Sequence, residues 1–305
     1  MKEAIISVDH FTKSYDKNVA VNDISFEVQQ GEIFGLLGPN GSGKTSTLES
    51  LEGLRNPDGG SLKVLGLDPK TQQNRLTNLV GIQLQSSALP ANMTVQEAML
   101  FFCAYHQTAP RADLIDRLQL GEKKNAQYGS LSIGQQRRLA LALAVAHKPQ
   151  LVFLDEPTAG LDVASRVELH TLMRELQQEG TTMILATHDM AEAEKMSDRV
   201  AILLKGEIAA MGTPQELTAS GEGFTRISVH SEKDVLESNG NGFPGVQSHQ
   251  FKDGYALYFS TAPGASVTAI IQYIESHDDK LIDLRVERPT LEERFLEITK
   301  FQSNR

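Results

Sequence analysis

The residues Gly38-Pro39-Asn40-Gly41-Ser42-Gly43-Lys44-Thr45 set glycines, a lysine and a hydroxyl at the spacing G-x-x-x-x-G-K-[ST]. The glycines let successive backbone N–H groups turn inward onto anionic oxygens, and a helix starting near Ser46 adds partial positive charge. Lys44 can reach the β- and γ-phosphates of a nucleotide, and Thr45 offers a hydroxyl to Mg2+. Gly38, Pro39, Asn40, Gly41, Ser42, Gly43, Lys44, Thr45 and Ser46 therefore form a candidate phosphate cradle. A second pair, Asp155-Glu156, ends the apolar run Leu151-Val152-Phe153-Leu154. Asp155 is placed to hold Mg2+ with Thr45, directly or through water. Glu156, one residue beyond, can face an attacking water as general base. The chemistry implied is hydrolysis of a nucleoside triphosphate.

A third element narrows the class. Leu131-Ser132-Ile133-Gly134-Gln135-Gln136-Arg137-Arg138 leads into the apolar segment 139–146. With the cradle and the acidic pair, in that order along residues 5–217, it makes the chain resemble the ABC (ATP-binding-cassette) ATPase family, whose signature is usually written LSGGQ. The resemblance implies ATP and Mg2+ as cofactors and two cassettes paired head to tail, a second copy or a paralogue. Each signature, through Ser132, Gly134 and Gln135, would then close over the ATP held by the other subunit. The family's remaining positions fall on this chain residue by residue. Gln85 matches the loop glutamine that senses Mg2+ and the membrane partner; it stands at the end of an expected strand over 79–84, whereas Gln83 lies inside it. Ala159-Gly160-Leu161-Asp162 matches the loop that passes between subunits, His188 the switch histidine near the γ-phosphate, and Tyr15 the aromatic that stacks on adenine. The resemblance thus implies Glu156 and His188 as the catalytic pair. Ile133 departs from the pattern, since glycine is usual there. At positive φ it would be strained; in a first helical turn it is tolerable, and that is the expectation.

Positioning these groups requires an α/β core. Short apolar runs at Ile33–Leu37, 151–154, 183–186 and 200–204 alternate with helix-period segments such as Val163–Gln178. Runs buried on both faces and separated by helices indicate parallel strands with crossover helices. Segments 5–8, 24–28 and 61–65 read as a small antiparallel sheet broken by turn residues. Residues 94–124 look helical, with Met99, Phe102, Cys103 and His106 on one face. The fold class expected is a P-loop NTPase cassette: mixed parallel core sheet, N-terminal antiparallel β subdomain, helical subdomain over about 86–148, and a small C-terminal α+β domain. The small, polar stretch 219–223 divides the chain into 1–220 and 224–305. In the second part, 224–229, 255–259 and 281–286 read as strands, with Val267, Ile270, Ile271 and Ile274 on one helical face. A last helix starts at Thr290 with Glu293 placed for a capping box. Its stripe Leu291, Phe295 and Ile298 is expected to pack on the small domain's own sheet.

The net charge of -10 argues against a broad nucleic-acid surface. One cysteine, Cys103, cannot form an internal disulfide, which fits a reducing cytosol and a small core residue. No apolar run reaches the roughly 18 residues needed to span a bilayer. The expectation is a soluble subunit held at the inner face of the cell membrane by a separate integral-membrane permease. Two other readings differ in class. A soluble ABC ATPase of ribosomes or DNA would usually carry two cassettes, and a P-loop kinase would lack the signature. Within transporters, Pro289-Thr290-Leu291-Glu292-Glu293-Arg294-Phe295-Leu296 resembles the ending P-[ST]-L-E-x-x-F-L of daunorubicin-type drug-resistance exporters, which favours export.

Overall fold

The structure is a computed structural model and describes residues 4–83, 89–219, 224–237 and 242–303. It divides into two compact units, Met1–Pro214 and Gln215–Arg305. In chain order the first unit runs β1 (Ala4–Tyr15), β2 (Asn18–Gln29), β3 (Ile33–Leu37), α1 (Lys44–Leu51), β4 (Gly59–Val64), α2 (Gln73–Leu76) and β5 (Val80–Gln83). It continues α3 (Val95–Tyr105), α4 (Ala112–Arg117), α5 (Ile133–Val145), β6 (Leu151–Asp155), α6 (Val163–Gln178), β7 (Thr182–Thr187), α7 (Met190–Met196), β8 (Arg199–Leu204) and β9 (Glu207–Gly212). A short helix, α8 (Pro214–Ala219), straddles the division.

Six strands form the central sheet in the order β5-β6-β7-β3-β8-β9. All neighbours are parallel except β8 and β9. Every residue of β3, β6 and β7 is buried, which is why these segments read as unbroken apolar runs. The period-2 alternation of strands sends their side chains to two different cores. Ile33, Val152, Leu154, Met183 and Leu185 join the helices α3, α5 and α6. Phe34, Leu36, Phe153, Ile184 and Ala186 join α1 and the antiparallel sheet β2-β1-β4. Phe26 stacks on Phe34 across that second core, centroids 5.2 Å apart.

The helical segment starts with a reciprocal capping box, Thr94 with Glu97. Met99 and Cys103 are buried, their sulfurs 3.7 Å apart, and Phe102 and His106 are half-buried. Leu100, Phe101 and Tyr105 on the same helix face solvent.

The second unit contains β10 (Thr225–Ser231), β11 (Val246–Lys252), β12 (Tyr255–Ser260), α9 (Pro263–Ser276), β13 (Leu281–Glu287) and α10 (Leu291–Ser303). Its sheet runs β11-β12-β10-β13 and is antiparallel throughout. β11 escapes a sequence reading because it is an edge strand whose residues are mostly polar and exposed. Thr290 and Glu293 form the expected capping box. The expectation for the last helix's apolar stripe does not hold. Leu291 is buried and Phe295 and Ile298 half-buried, yet none belongs to the apolar cluster of this unit. That cluster is closed by Ile270 and Ile274 of α9, the more apolar helix, against Ile227, Val229 and Tyr258.

All residues of the phosphate cradle and both acids precede the division. A chain ending near Ser220 is therefore expected to fold and bind ATP with the affinity of the full chain. Isothermal titration checks this; a folded truncated protein that no longer binds would put part of the site beyond Ser220.

Candidate nucleotide-binding and hydrolysis site

Strand register brings the chemistry together. Leu37 pairs with Thr187, and Asp155 with Ala186. Gly38, His188 and Glu156 therefore leave adjacent parallel strands at one edge of the sheet, the carboxyl edge where α/β folds carry ligands. The Gly38 N–H donates to the Thr187 carbonyl and the Glu156 N–H to the Ala186 carbonyl, so pairing continues one step past each strand. Glu156 sits at φ 49, left-handed backbone that a non-glycine residue seldom adopts. The cradle turns through Gly41 at φ 79 and Gly43 at φ 105. A side chain at Gly43 would also lie 2.7 Å from the Ala20 carbonyl oxygen, so glycine is needed there for both conformation and space.

Lys44 is almost fully buried, and its ammonium donates to the Gly38 and Pro39 carbonyls at 2.7 and 3.2 Å. It also lies 3.8 Å from a Glu156 oxygen. Burial lowers its pKa, against the opposing charges of Glu156 and Asp155. Thr45 donates its hydroxyl to Asp155 Oδ2 at 3.2 Å, while Asp155 Oδ1 is buried without a partner. Burial raises the Asp155 pKa, partly countered by the Thr45 bond. Glu156 Oε2 meets His188 Nδ1 at 2.7 Å, with the carboxylate buried and the imidazole half open to solvent.

Tyr15, Asn40, Gly41, Gly43, Lys44, Thr45, Ser46 and Glu156 line a cleft of about 700 Å³. The Tyr15 hydroxyl donates to Ser46 Oγ at 3.3 Å, and Lys13 and Arg55 flank its ring at 5.3 and 5.8 Å. Asn18, Val19, Ala20 and Lys205 complete the lining. Sequence reasoning missed these four. The Lys205-Gly206 turn after an apolar run signals a hairpin, but nothing in it points to a nucleotide. Ser42 is buried, with its hydroxyl unpartnered. Gln85 lies outside the described residues; Gln83 is buried in β5 with neither amide atom partnered.

The signature residues do not line this cleft. Ser132 and Gln135 instead make the reciprocal capping box of α5: Ser132 Oγ accepts from the Gln135 N–H and Gln135 Oε1 from the Ser132 N–H. Gly134 has a packing reason, because a Cβ there would lie 2.9 Å from Ser165 Oγ. Ile133 is the first residue of α5 and exposed, with negative φ, so the departure from glycine is carried without strain. Asp162 caps α6, accepting from the Ser165 N–H and hydroxyl at 2.9 and 2.8 Å. These bonds hold its carboxyl below the usual range.

Residues 21–159 match a family model described as ABC transporter. The Nod factor export ATP-binding protein I of Burkholderia pseudomallei (strain 1710b) is 36% identical over 77% of this chain and 79% of its own length. The corresponding protein of Paraburkholderia xenovorans (strain LB400) is 38% identical over 75% of this chain and 77% of its own. A probable multidrug ABC transporter ATP-binding protein of Escherichia coli (strain K12) is 36% identical over 71% of this chain, which spans 38% of that longer protein. Among solved structures, an ATP-binding subunit of an ABC transporter superposes with a TM-score of 0.66 at 24% identity, over 70% of this chain and 92% of that one.

Beneath the cradle, Glu52 caps the end of α1, buried, with Oε2 unpartnered. Burial, then the charges of Asp155 and Glu49, push its carboxyl up to about 8. The folded chain thus keeps a proton that the unfolded chain sheds. The stability this contributes is full below about pH 4.5 and is lost as pH rises through about 8. Glu52→Gln, neutral throughout, is expected to raise Tm relative to the parent increasingly as pH climbs across that window. A difference in Tm that stays constant across it would mean that Glu52 is ionised in the fold.

Proposed function

Because this chain belongs to the ABC transporter family, we propose that it powers export of a substrate through a separate membrane permease. It is an ATPase, converting ATP and water to ADP and phosphate in step with transport. Export is supported by the relatives named for Nod factor export and multidrug transport, and by the Pro289–Leu296 motif. Among the described residues no helix is long and apolar enough to cross a membrane. The permease would provide the path and hold this subunit at the cytoplasmic face. The acidic charge and the transporter relatives weigh against the ribosome or DNA reading.

One observation carries the mechanism: the pairs Thr45–Asp155 and Glu156–His188 meet around Lys44 at one sheet edge. The loop N–H groups and Lys44 bind the phosphates. The unpartnered Asp155 Oδ1 beside the Thr45 hydroxyl fits a hard cation. Thr45 and Asp155, with Gln85, would hold Mg2+, which would offset the negative charge of the phosphates. Glu156 takes the proton of the attacking water. His188 Nδ1 fixes that carboxylate and leaves Nε2 for the γ-phosphate. Tyr15 would stack on adenine. Ser132, Gly134, Gln135 and Asp162, none of which lines the cleft of their own chain, would act on the ATP of a second cassette.

Glu156→Gln keeps the side chain's shape but cannot accept the proton. It is expected to bind ATP normally and lose about 10²–10⁴-fold in turnover, accumulating an ATP-bound dimer seen as earlier elution on size exclusion. Turnover at the parent rate would remove Glu156 as the base.

Ser132→Arg is expected to leave ATP binding by the monomer intact and to block dimer closure. Mixed with Lys44→Ala, it should give at most one working composite site per heterodimer, read as partial recovery of ATPase activity. Lost binding by the Ser132→Arg monomer would contradict action in trans.

A further inference from the structure

Between Glu156 and α6 the chain crosses as a short loop, residues 156–162. Two backbone bonds brace it, Ala159 N–H to the Glu156 carbonyl and Leu161 N–H to the Thr158 carbonyl. Thr158 is buried and donates its hydroxyl to Glu192 Oε1 of α7 at 2.7 Å. His170 of α6, also buried, meets the same oxygen through Nε2 at 3.0 Å. Glu192 is 2% exposed. Its other oxygen and His170 Nδ1 have no hydrogen-bond partner. One turn away on the same faces, Arg166 of α6 bridges Asp189, the residue that caps α7, at 2.9 Å.

Glu192 thus joins the segments that follow Glu156 and His188 to the helix that Asp162 caps. Thr158 lies two residues after Glu156. α7 starts directly behind His188 through its cap Asp189, whose Oδ1 accepts from the Glu192 N–H at 3.0 Å. His170 stands on the helix that Asp162 caps. A buried carboxyl bound by directional donors is a costly way to fill space, since apolar side chains of the same volume would do so at least as well. What it adds is register, because hydrogen bonds fix distances and angles that apolar packing leaves loose. We propose that Glu192, with Thr158 and His170, is the positioning unit that holds the base Glu156 and the switch histidine His188 in hydrolytic register. None of the three residues lines the cleft. The unit acts on turnover and leaves nucleotide affinity alone. The proposal rests on the assignment of Glu156 and His188 as the hydrolytic pair.

Thr158→Val keeps the shape of the side chain and removes the hydroxyl; Thr158→Ser keeps the hydroxyl. In the full chain, Thr158→Val is expected to lower kcat for ATP on the order of 10-fold, the scale of a small misplacement of a reacting group. Its Kd for ATP should match the parent, and Thr158→Ser should restore turnover. His170→Phe, which retains a ring without the Nε2 donor, is expected to behave like Thr158→Val and carries the test if that variant does not fold. Glu156→Gln is measured alongside. If it is inactive while Thr158→Val and His170→Phe turn over at the parent rate, the positioning unit is wrong and the base assignment stands. If Glu156→Gln is fully active, both fall. Parallel loss of kcat and ATP affinity, or no recovery in Thr158→Ser, would also overturn the proposal.

Discussion

The site depends first on the parallel register of β6, β7 and β3. Those strands are buried on both faces, so each of their side chains has one core it can enter. A slip of one residue would exchange Ile33 for Phe34, or Val152 for Phe153, between cores of different shape. Asp155 and His188 ride on that constraint. The acid follows the last apolar residue of β6, and the histidine follows the last residue of β7. The packing that fixes the strands therefore fixes the reacting groups within hydrogen-bond reach.

A second constraint comes from the antiparallel sheet. The cradle lies close to β2 at Gly43 and Ala20, where no side chain fits between them. The β8–β9 turn braces the same place: Gly206 donates its N–H to the Ser42 carbonyl and accepts from the Asn22 N–H. Loop, strand and hairpin form one braced backbone assembly. Its exposed lip presents Asn18, Val19 and Lys205 to the cleft beside Tyr15. The smaller sheet thus contributes Tyr15, Asn18, Val19 and Ala20 to the cleft, while Lys205 and the cradle belong to the larger one.

Legibility in the sequence followed burial. β3 and α6 occupy the residues that periodicity assigns them, because strands covered on both sides must be apolar and an amphipathic helix must show its stripe. Lys44, Thr45, Asp155 and Glu156 were readable because each adjoins such a run. Other features follow from distances that only folding creates. Ala20 and Lys205 are far from the cradle in sequence and share its cleft. Gly134 reads as part of a signature, yet it is also the spacer that admits Ser165. Nothing in the sequence sets Thr158, His170 and Glu192 side by side. β11 was illegible for the opposite reason: an edge strand with one buried residue has almost no apolar pattern to betray it. In α10 the stripe is partly buried but stands outside the apolar cluster of its unit, which α9 closes.

The electrostatics of the cleft have a consequence for what it can hold. Lys44 is surrounded by Glu156 and Asp155, with Glu49 and Glu52 behind them, in a chain of net charge -10. Burial lowers the charge preference of Lys44 and raises that of the Asp155 carboxyl to stay protonated, so each group is strained toward its neutral form. A bare triphosphate would add negative charge to an already acidic surround. A divalent cation held by Asp155 would favour its ionised carboxylate, and Lys44 would then meet the phosphates. On the proposed reading, the cation that Thr45 and Asp155 would hold would offset part of the negative charge that the triphosphate brings to this acidic surround.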